Sequence, residues 1–400
     1  MPAQPGDPAT NTPPPETWPY HAPDEIEAAT RVLASGRVNY WTGDEGRLFE
    51  REFADYHGVP YGVALANGTV GLEAALVALG IGPSEDVVIP PRTFVATGGA
   101  VVLRGARPVF ADVDRDSGTV TAATVEAALT PCTRAVIAVH LGGWPCDMGP
   151  IMELARQRGL KVIEDCAQSH GARYRDRLTG SFGNVGVFSF CQDKIITTGG
   201  EGGMLITADE DLWQRAWSAK DHGKSWDAVQ EPGDGSVFRW LHHSFGSNWR
   251  LTEVQAAIGR FQLRKLDGWV EARRANARIL AEGLAGLAAL RIPTPRDDVH
   301  PSYYRFYAYI RPDALRTGWT RDRILQGFAA RGIPALSGSC SEIYLERAFA
   351  DSGLQPAERL PVARELGETS IAFPVHPTLR VETLEHWVDG ARSVLTAATR

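Results

Sequence analysis

The chain has 400 residues, of which 44% are hydrophobic and 22% charged, and a formal net charge of −7. That length suits a large domain with a smaller one, and the composition is that of a globular chain able to bury a substantial core. The acidic balance without any basic block argues against nucleic-acid binding, no apolar run approaches a membrane span, and no secretory leader is visible. Five cysteines (Cys132, Cys146, Cys166, Cys191 and Cys340) are odd in number, widely spaced and without a C-x-x-C. They disfavour a disulfide framework or a zinc site and fit a reducing cytoplasm.

Residues 1–20 include seven prolines and little that is apolar, so they read as a disordered lead-in. A helix is predicted over 24–34, with Ile26, Ala29, Val32 and Leu33 inward and Gly36 as its stop. A second is predicted over 45–57, with Leu48, Phe49, Phe53 and Tyr56 inward. Short apolar runs at 61–66, 86–89, 107–111, 134–139, 161–164, 185–190 and 203–206 are strand candidates. Helical segments at 69–80, 94–104, 121–129 and 148–158 lie between them. This alternation predicts an α/β fold with a largely parallel sheet covered on both faces. Two long helices follow, over 252–267 and 269–287, and the second leads into a C-terminal unit. There, 303–310 reads as a strand, 321–331 as a helix and 382–398 as a closing helix. The expected division is a large domain over 21–270 and a small α/β domain over 271–400.

In such sheets the chemistry gathers where strands end, and four strand ends carry usable residues. The run Val185–Phe190 ends in Cys191-Gln192-Asp193, then Lys194, then a glycine-rich turn. A lysine on the lip of a buried sheet loses solvation, which lowers its pKa and favours Schiff-base chemistry; the plain alternative is a solvated surface lysine. Asn67-Gly68-Thr69 opens a helix, where free N–H groups and the dipole favour an anion, unless Asn67 is simply an N-cap. Phe94, at a strand-to-helix junction, offers a ring to a flat ligand or to the core. Asp165 ends an apolar strand, where an unpaired carboxylate is costly. Its partner is either a metal, for which no ligand cluster is evident, or a protonated heterocycle nitrogen. An anion cradle, a stacking ring, a carboxylate and a lysine are what pyridoxal 5'-phosphate requires.

The motifs NGT at 67–69, PRTF at 91–94, EDCAQSHGA at 164–172, SFCQDK at 189–194 and GSNWRLTEVQAA at 246–257 occur in that order. In them the chain resembles the DegT/DnrJ/EryC1/StrS family of sugar aminotransferases, of the fold-type-I pyridoxal-phosphate class. The resemblance implies a seven-stranded large domain and a homodimer with shared active sites. It implies that Lys194 carries the cofactor, Asp165 faces the pyridine nitrogen and Phe94 stacks on the ring. Gly68, Thr69 and Ser189 would contact the phosphate, Gln168 the 3-hydroxyl side, and Asn248 the phosphate of the neighbouring subunit. The activity implied is amino transfer, with L-glutamate as donor, to a keto group of a nucleotide-linked sugar. A keto-cyclitol acceptor, or a catalytically silent binding or regulatory protein on the same scaffold, is the alternative. Gln168-Ser169-His170 resembles members acting at sugar C-3 or on cyclitols more than members acting at C-4. Lys194 argues against the related sugar dehydratases, which carry histidine there. The turn TTGGEGG is one glycine longer than the commoner TTGEGG form, which leaves its path open.

Overall fold

The computed structural model describes residues 16–232 and 238–400. Among the described residues, thirteen strands run in chain order: β1 Tyr61–Leu65, β2 Asp86–Ile89, β3 Arg107–Phe110, β4 Thr133–Val139, β5 Lys161–Asp165, β6 Arg173–Tyr174, β7 Arg177–Leu178, β8 Val185–Ser189, β9 Gly203–Thr207, β10 Leu290–Arg291, β11 Val299–His300, β12 Phe306–Ile310 and β13 Ser370–Phe373. The α-helices are α1 Pro23–Ser35, α2 Glu45–His57, α3 Gly68–Leu79, α4 Val95–Leu103, α5 Ala122–Ala127, α6 Met148–Arg158, α7 Glu210–Lys220, α8 Trp226–Gln230, α9 Glu253–Gly283, α10 Arg321–Ala329, α11 Arg347–Ala350, α12 Pro361–Thr369 and α13 Val381–Ala398. No helix of the described residues is long and apolar enough to cross a membrane.

All seven predicted strands of the first half join one sheet, in the order β1-β9-β8-β5-β4-β2-β3. Strands β3, β2, β4, β5 and β8 pair in parallel, and β9 runs antiparallel to both of its neighbours, β8 and β1. β9 is thus the one reversed strand. The carboxyl ends of β1, β2, β5 and β8 therefore open on one edge, and the loops carrying the candidate residues meet there. Strands β2, β8 and β9 are buried at every position. Helices cover both faces, which is why these strands read as unbroken apolar runs. A second core forms around the antiparallel sheet β10-β12-β13, packed with α10, α13 and the end of α9.

Four details differ from expectation. The two long helices are one, α9, of 31 residues. Its start is fixed by a capping box between Thr252 and Gln255. An interior glycine costs only about 1 kcal/mol relative to alanine, so Gly268 is carried through by packing on both sides. Helix α1 buries Glu25, Ala28 and Val32, whereas Ile26 and Leu33 face outward at 50% and 62% exposure. Polar pairing decides that register: Glu25 meets Lys265 at 2.7 Å, Gln262 at 2.9 Å and His21 at 3.0 Å. The strand predicted from 303 starts at Phe306, because Tyr303 has a φ of +49° and breaks the extended path.

The fourth concerns the lead-in. Residues 1–15 lie outside the described residues, but 16–20 are held in place. The Glu16 carboxylate accepts from the Arg380 amide at 2.8 Å and the Thr383 hydroxyl at 2.7 Å. Trp18 packs edge-on against Trp269, and its indole N–H donates to the Lys194 carbonyl at 2.8 Å.

Candidate active site

A cavity of about 740 Å³ opens at the carboxyl edge of the large sheet. Gly68, Thr69, Phe94, Asp165, Gln168, Ser189 and Lys194 all line it. They reach it from four different turns, which the parallel strands deliver to one place.

Helix α3 supplies the polar floor. Asn67 caps it, its side-chain oxygen accepting from the Val70 amide at 3.0 Å. The first amides of a helix have no intrahelical partner, and those of Gly68 and Thr69 are placed to receive an anion at the positive end of the helix dipole. Gly68 is required by close approach: a Cβ there would lie 2.7 Å from the Ser189 Cβ. Ser189 is thus wedged beside the helix start, where its hydroxyl adds to the same cradle. The N-cap reading of Asn67 holds, and it leaves the amides of Gly68 and Thr69 unused, because the cap takes the Val70 amide.

Strand β5 ends in two carboxylates on opposite faces. Glu164 turns into the protein, where it accepts from the amides of Gly180, Phe182 and Gly183 at 2.7–2.8 Å and from His140 at 3.0 Å. His140 Nδ1 accepts from the Cys146 amide at 2.9 Å, which assigns the proton to Nε2. His140, Glu164 and Cys166 lie within 4.8 Å of one another, but the histidine nitrogens and the carboxylate are spent on these bonds. Asp165 turns into the cavity and is 6% exposed. The Thr97 hydroxyl donates to its Oδ2 at 3.0 Å and the Ala167 amide to its Oδ1 at 3.1 Å. Thr97 is itself set by Thr93, 2.8 Å away. Burial pushes the Asp165 carboxyl up, and these two donors only partly offset it. The carboxylate therefore favours a cation presented from the cavity.

Phe94, the residue that precedes α4, stands 66% exposed on the cavity wall. A ring left that bare is available to a flat ligand. Gln168 anchors its side-chain oxygen on the Gly142 amide at 2.7 Å, leaving its NH₂ for the cavity. The glycine-rich turn bends back at Gly199 and Gly200, with φ of +81° and +122°, so the extra glycine is absorbed where other residues would strain.

Lys194 overturns one expectation. Burial pulls its pKa down, but the Tyr304 phenol and the Asp193 carboxylate outweigh burial and hold the ammonium above its ordinary range. Nζ lies 3.4 Å from Asp193 Oδ1 and 4.7 Å from the centre of the Tyr304 ring. The Tyr304 hydroxyl in turn donates to Asp193 Oδ2. Asn248 is not at this cavity. It is exposed, and its backbone bridges to Asp221.

The family model of the DegT/DnrJ/EryC1/StrS aminotransferases matches residues 19–391. The chain belongs to this family. It is 38% identical over 347 residues to a UDP-N-acetyl-3-dehydro-alpha-D-glucosamine 3-aminotransferase of Acidithiobacillus ferrooxidans, covering 87% of this chain and 88% of that one. It is 41% identical over 317 residues to an L-glutamine:2-deoxy-scyllo-inosose aminotransferase of Streptomyces fradiae, covering 78% and 74%. Among solved structures, an aminotransferase from Psychrobacter cryohalolentis superposes with a TM-score of 0.94 at 48% identity, covering 96% and 99%. As a DegT/DnrJ/EryC1/StrS aminotransferase the protein is an enzyme with the α/β fold of that class.

Tyr304, Arg305, Tyr307 and Glu201 also line the cavity of this DegT/DnrJ/EryC1/StrS member and were not singled out from the sequence. Three of them come from the start of β12, more than a hundred residues from Lys194. The cluster Tyr303-Tyr304-Arg305-Phe306-Tyr307 was the available signal, but its aromatic density reads equally as core.

Proposed function

We propose that this enzyme binds pyridoxal 5'-phosphate and transfers an amino group from an amino-acid donor, L-glutamate, to a keto group of a nucleotide-linked sugar. The observation that carries the reading is the buried Asp165, under-compensated in charge, facing the same cavity as Lys194 and the start of α3. The donor set fits the cofactor. The Gly68 and Thr69 amides with the Ser189 hydroxyl would hold the phosphate, and Phe94 would cover the ring. Asp165 would hold the ring nitrogen protonated, with Thr97 and Ala167 fixing its orientation, and Gln168 would reach the hydroxyl side. When bound, the cofactor supplies the electron sink that stabilises a carbanion next to nitrogen.

The chain's own part is acid–base work at Lys194. Lys194 is the residue that would carry the cofactor. Its Nζ would take the proton from the donor's α-carbon and deliver a proton to the carbonyl carbon of the acceptor. Asp193 and Tyr304 keep the amine within a short arc while it does so.

The nucleotide-linked acceptor rests on the 3-aminotransferase relative, and a keto-cyclitol acceptor on the scyllo-inosose relative. A silent binding protein is disfavoured by a complete lysine and aspartate pair. We further assign residues 21–270 and 271–400 as large and small domains, supported by their separate cores, and a homodimer as the working unit. The test is direct. Purified protein should be yellow, with a band bleached by borohydride. Its aminated form should recover that band with one class from a panel of UDP-, dTDP- and GDP-ketosugars and keto-cyclitols. A colourless protein that takes up no cofactor would reject the proposal.

A further inference from the structure

A second, smaller cavity of about 150 Å³ lies beside the first, and Asp193, Tyr304 and Arg305 line both. Arg273, on α9, forms its inner wall and is 2% exposed. One of its nitrogens, Nη1, donates to the carbonyl oxygens of Tyr303 and Tyr304 at 3.3 and 3.5 Å. The other two, Nε and Nη2, have no hydrogen-bond partner among the described residues. Trp18 covers the face of the guanidinium, 5.1 Å from ring centre to Cζ. Arg305 forms a second cationic wall, half-buried, with its guanidinium 5.3 Å from the Tyr304 ring centre. His376 completes the lining. Its Nδ1 bonds Thr378 at 2.9 Å, and burial with the two arginines holds its pKa at about 4, so it is neutral near pH 7.

The charge in this cavity does not balance. Its one carboxylate, Asp193, is already engaged by the Tyr304 hydroxyl and by Lys194. Two guanidiniums remain. Burial and the neighbouring Arg305 pull the Arg273 pKa down to about 9, the mark of a cation short of an acceptor. A buried guanidinium with unsatisfied N–H groups is costly unless something accepts from them. The planar fork of an arginine matches the two oxygens of a carboxylate. The cavity abuts the Lys194 loop through Asp193 and Tyr304, and the Oδ1 of that aspartate lies 3.4 Å from the Lys194 amine.

We propose that this cavity is a carboxylate subsite for the amino donor, with Arg273 and Arg305 as its two cationic walls. The proposal rests on the aminotransferase reading in that the donor's nitrogen must reach Lys194. It deepens that reading by saying what anchors the donor. Either the α-carboxylate or a side-chain carboxylate has the required chemistry. Phosphate groups of the acceptor are left to the larger cavity.

The experiment uses the intact holoenzyme with Arg273→Met and Arg305→Gln variants. Glutarate, a dicarboxylate with no amine, is titrated into each by calorimetry. Donor KM is then measured with L-glutamate, L-glutamine and L-alanine. Loss of a charged fork should weaken glutarate binding and raise donor KM about 10- to 100-fold, while acceptor KM stays within about twofold for Arg273→Met, since Arg273 does not line the larger cavity. An equal rise for all three donors assigns the α-carboxylate, and a rise confined to L-glutamate assigns the side chain. Arg305 is only half-buried, so Arg305→Gln carries the test if Arg273→Met does not fold. Wild-type enzyme that binds no glutarate, or folded variants with unchanged glutarate affinity and unchanged donor KM, would overturn the subsite. Failure of the aminotransferase reading looks different: no acceptor turns over, whatever glutarate does.

Discussion

Lys194 is held as an ammonium by Tyr304, which the strand motif does not contain, and by Asp193, which it does. Removing it should abolish turnover without unfolding the chain, since its side chain lines a cavity and anchors no core. Lys194→Ala should therefore show no transamination with an unchanged circular dichroism spectrum. Reduction with borohydride should attach the cofactor to Lys194 in wild type and to no other lysine by peptide mass mapping. Asp165 carries a sharper expectation. Asn keeps the shape and the bond from Thr97 but removes the charge that a protonated ring nitrogen needs. Breaking a buried charge pair on one side costs about 3–5 kcal/mol, so Asp165→Asn should lose both cofactor occupancy and single-turnover rate; wild-type values for both would defeat the assignment. The residues legible in the sequence share a property. Gly68, Phe94, Asp165, Ser189 and Lys194 each sit within a few residues of a strand end, where local pattern locates them. Tyr304, whose hydroxyl meets Asp193 across 111 residues of chain, and Arg273, buried on a helix that reads as amphipathic, have no such local mark. Their placement depends on where the last third of the chain packs.

At the scale of elements, periodicity located the seven strands of the large sheet and the helices between them, because buried parallel strands and short turns leave strong local signals, whereas β6, β7, β10, β11, β13, α7, α8, α11 and α12 have no predicted counterpart. It failed where packing overrode the local pattern. Gly268 reads as a stop but lies inside α9, with nothing within 4 Å of where a Cβ would be. Gly268→Ala should thus stabilise the enzyme by about 0.5–1 kcal/mol, read as a higher denaturant midpoint with an unchanged slope. The α1 face was misassigned because Glu25, a charged residue, is buried by its pairing with Lys265. Helix α2 and β8 give a pH prediction. His57 packs between Phe53 and Phe188, with ring centres 4.5 and 4.7 Å away, and Nδ1–H donates to the Phe53 carbonyl at 2.9 Å. Burial lowers its pKa to about 4, and that of the adjacent His170 to about 3. Between about pH 6.5 and pH 4 the unfolded chain binds protons that the folded chain refuses, so stability falls as pH falls through that window. His57→Phe should flatten this dependence by about one proton, measured as the slope of unfolding free energy against pH. An unchanged slope would mean that His57 titrates normally.

For the whole molecule, Asn248 and the aromatic surface near it pose the assembly question. Phe238, Trp240 and Phe245 are largely exposed, and such patches mark interfaces. Asn248 lies on the same exposed segment and does not line the cavity of its own chain. If it completes the site of a partner, Asn248→Ala should weaken phosphate binding by about 1.5–3 kcal/mol, the worth of a hydrogen bond to a charged group. In a two-fold dimer, mixing Lys194→Ala with Asn248→Ala subunits should then restore activity, because each mixed dimer contains one undamaged site. No recovery after proven subunit exchange, or a fully active monomer by light scattering, would reject the shared site. The sequence carried the motif but not the geometry, since the place of an exposed loop residue such as Asn248 leaves no periodic trace.

The continuity of α9 has a mechanical consequence. At 1.5 Å per residue its 31 residues make a rod about 46 Å long, rooted at one end against α1 and α2 and at the other against α13. Swinging one core away from the other would bend that rod or break its ladder of hydrogen bonds, and Trp18 adds a clasp between Trp269 and the Lys194 loop. Large-angle opening is thereby suppressed. The rim of the cavity shares that stiffness: Leu336 pairs with Ala372 and the Ser339 amide donates to the Tyr307 hydroxyl, which fixes the wall opposite Phe94 on the same frame.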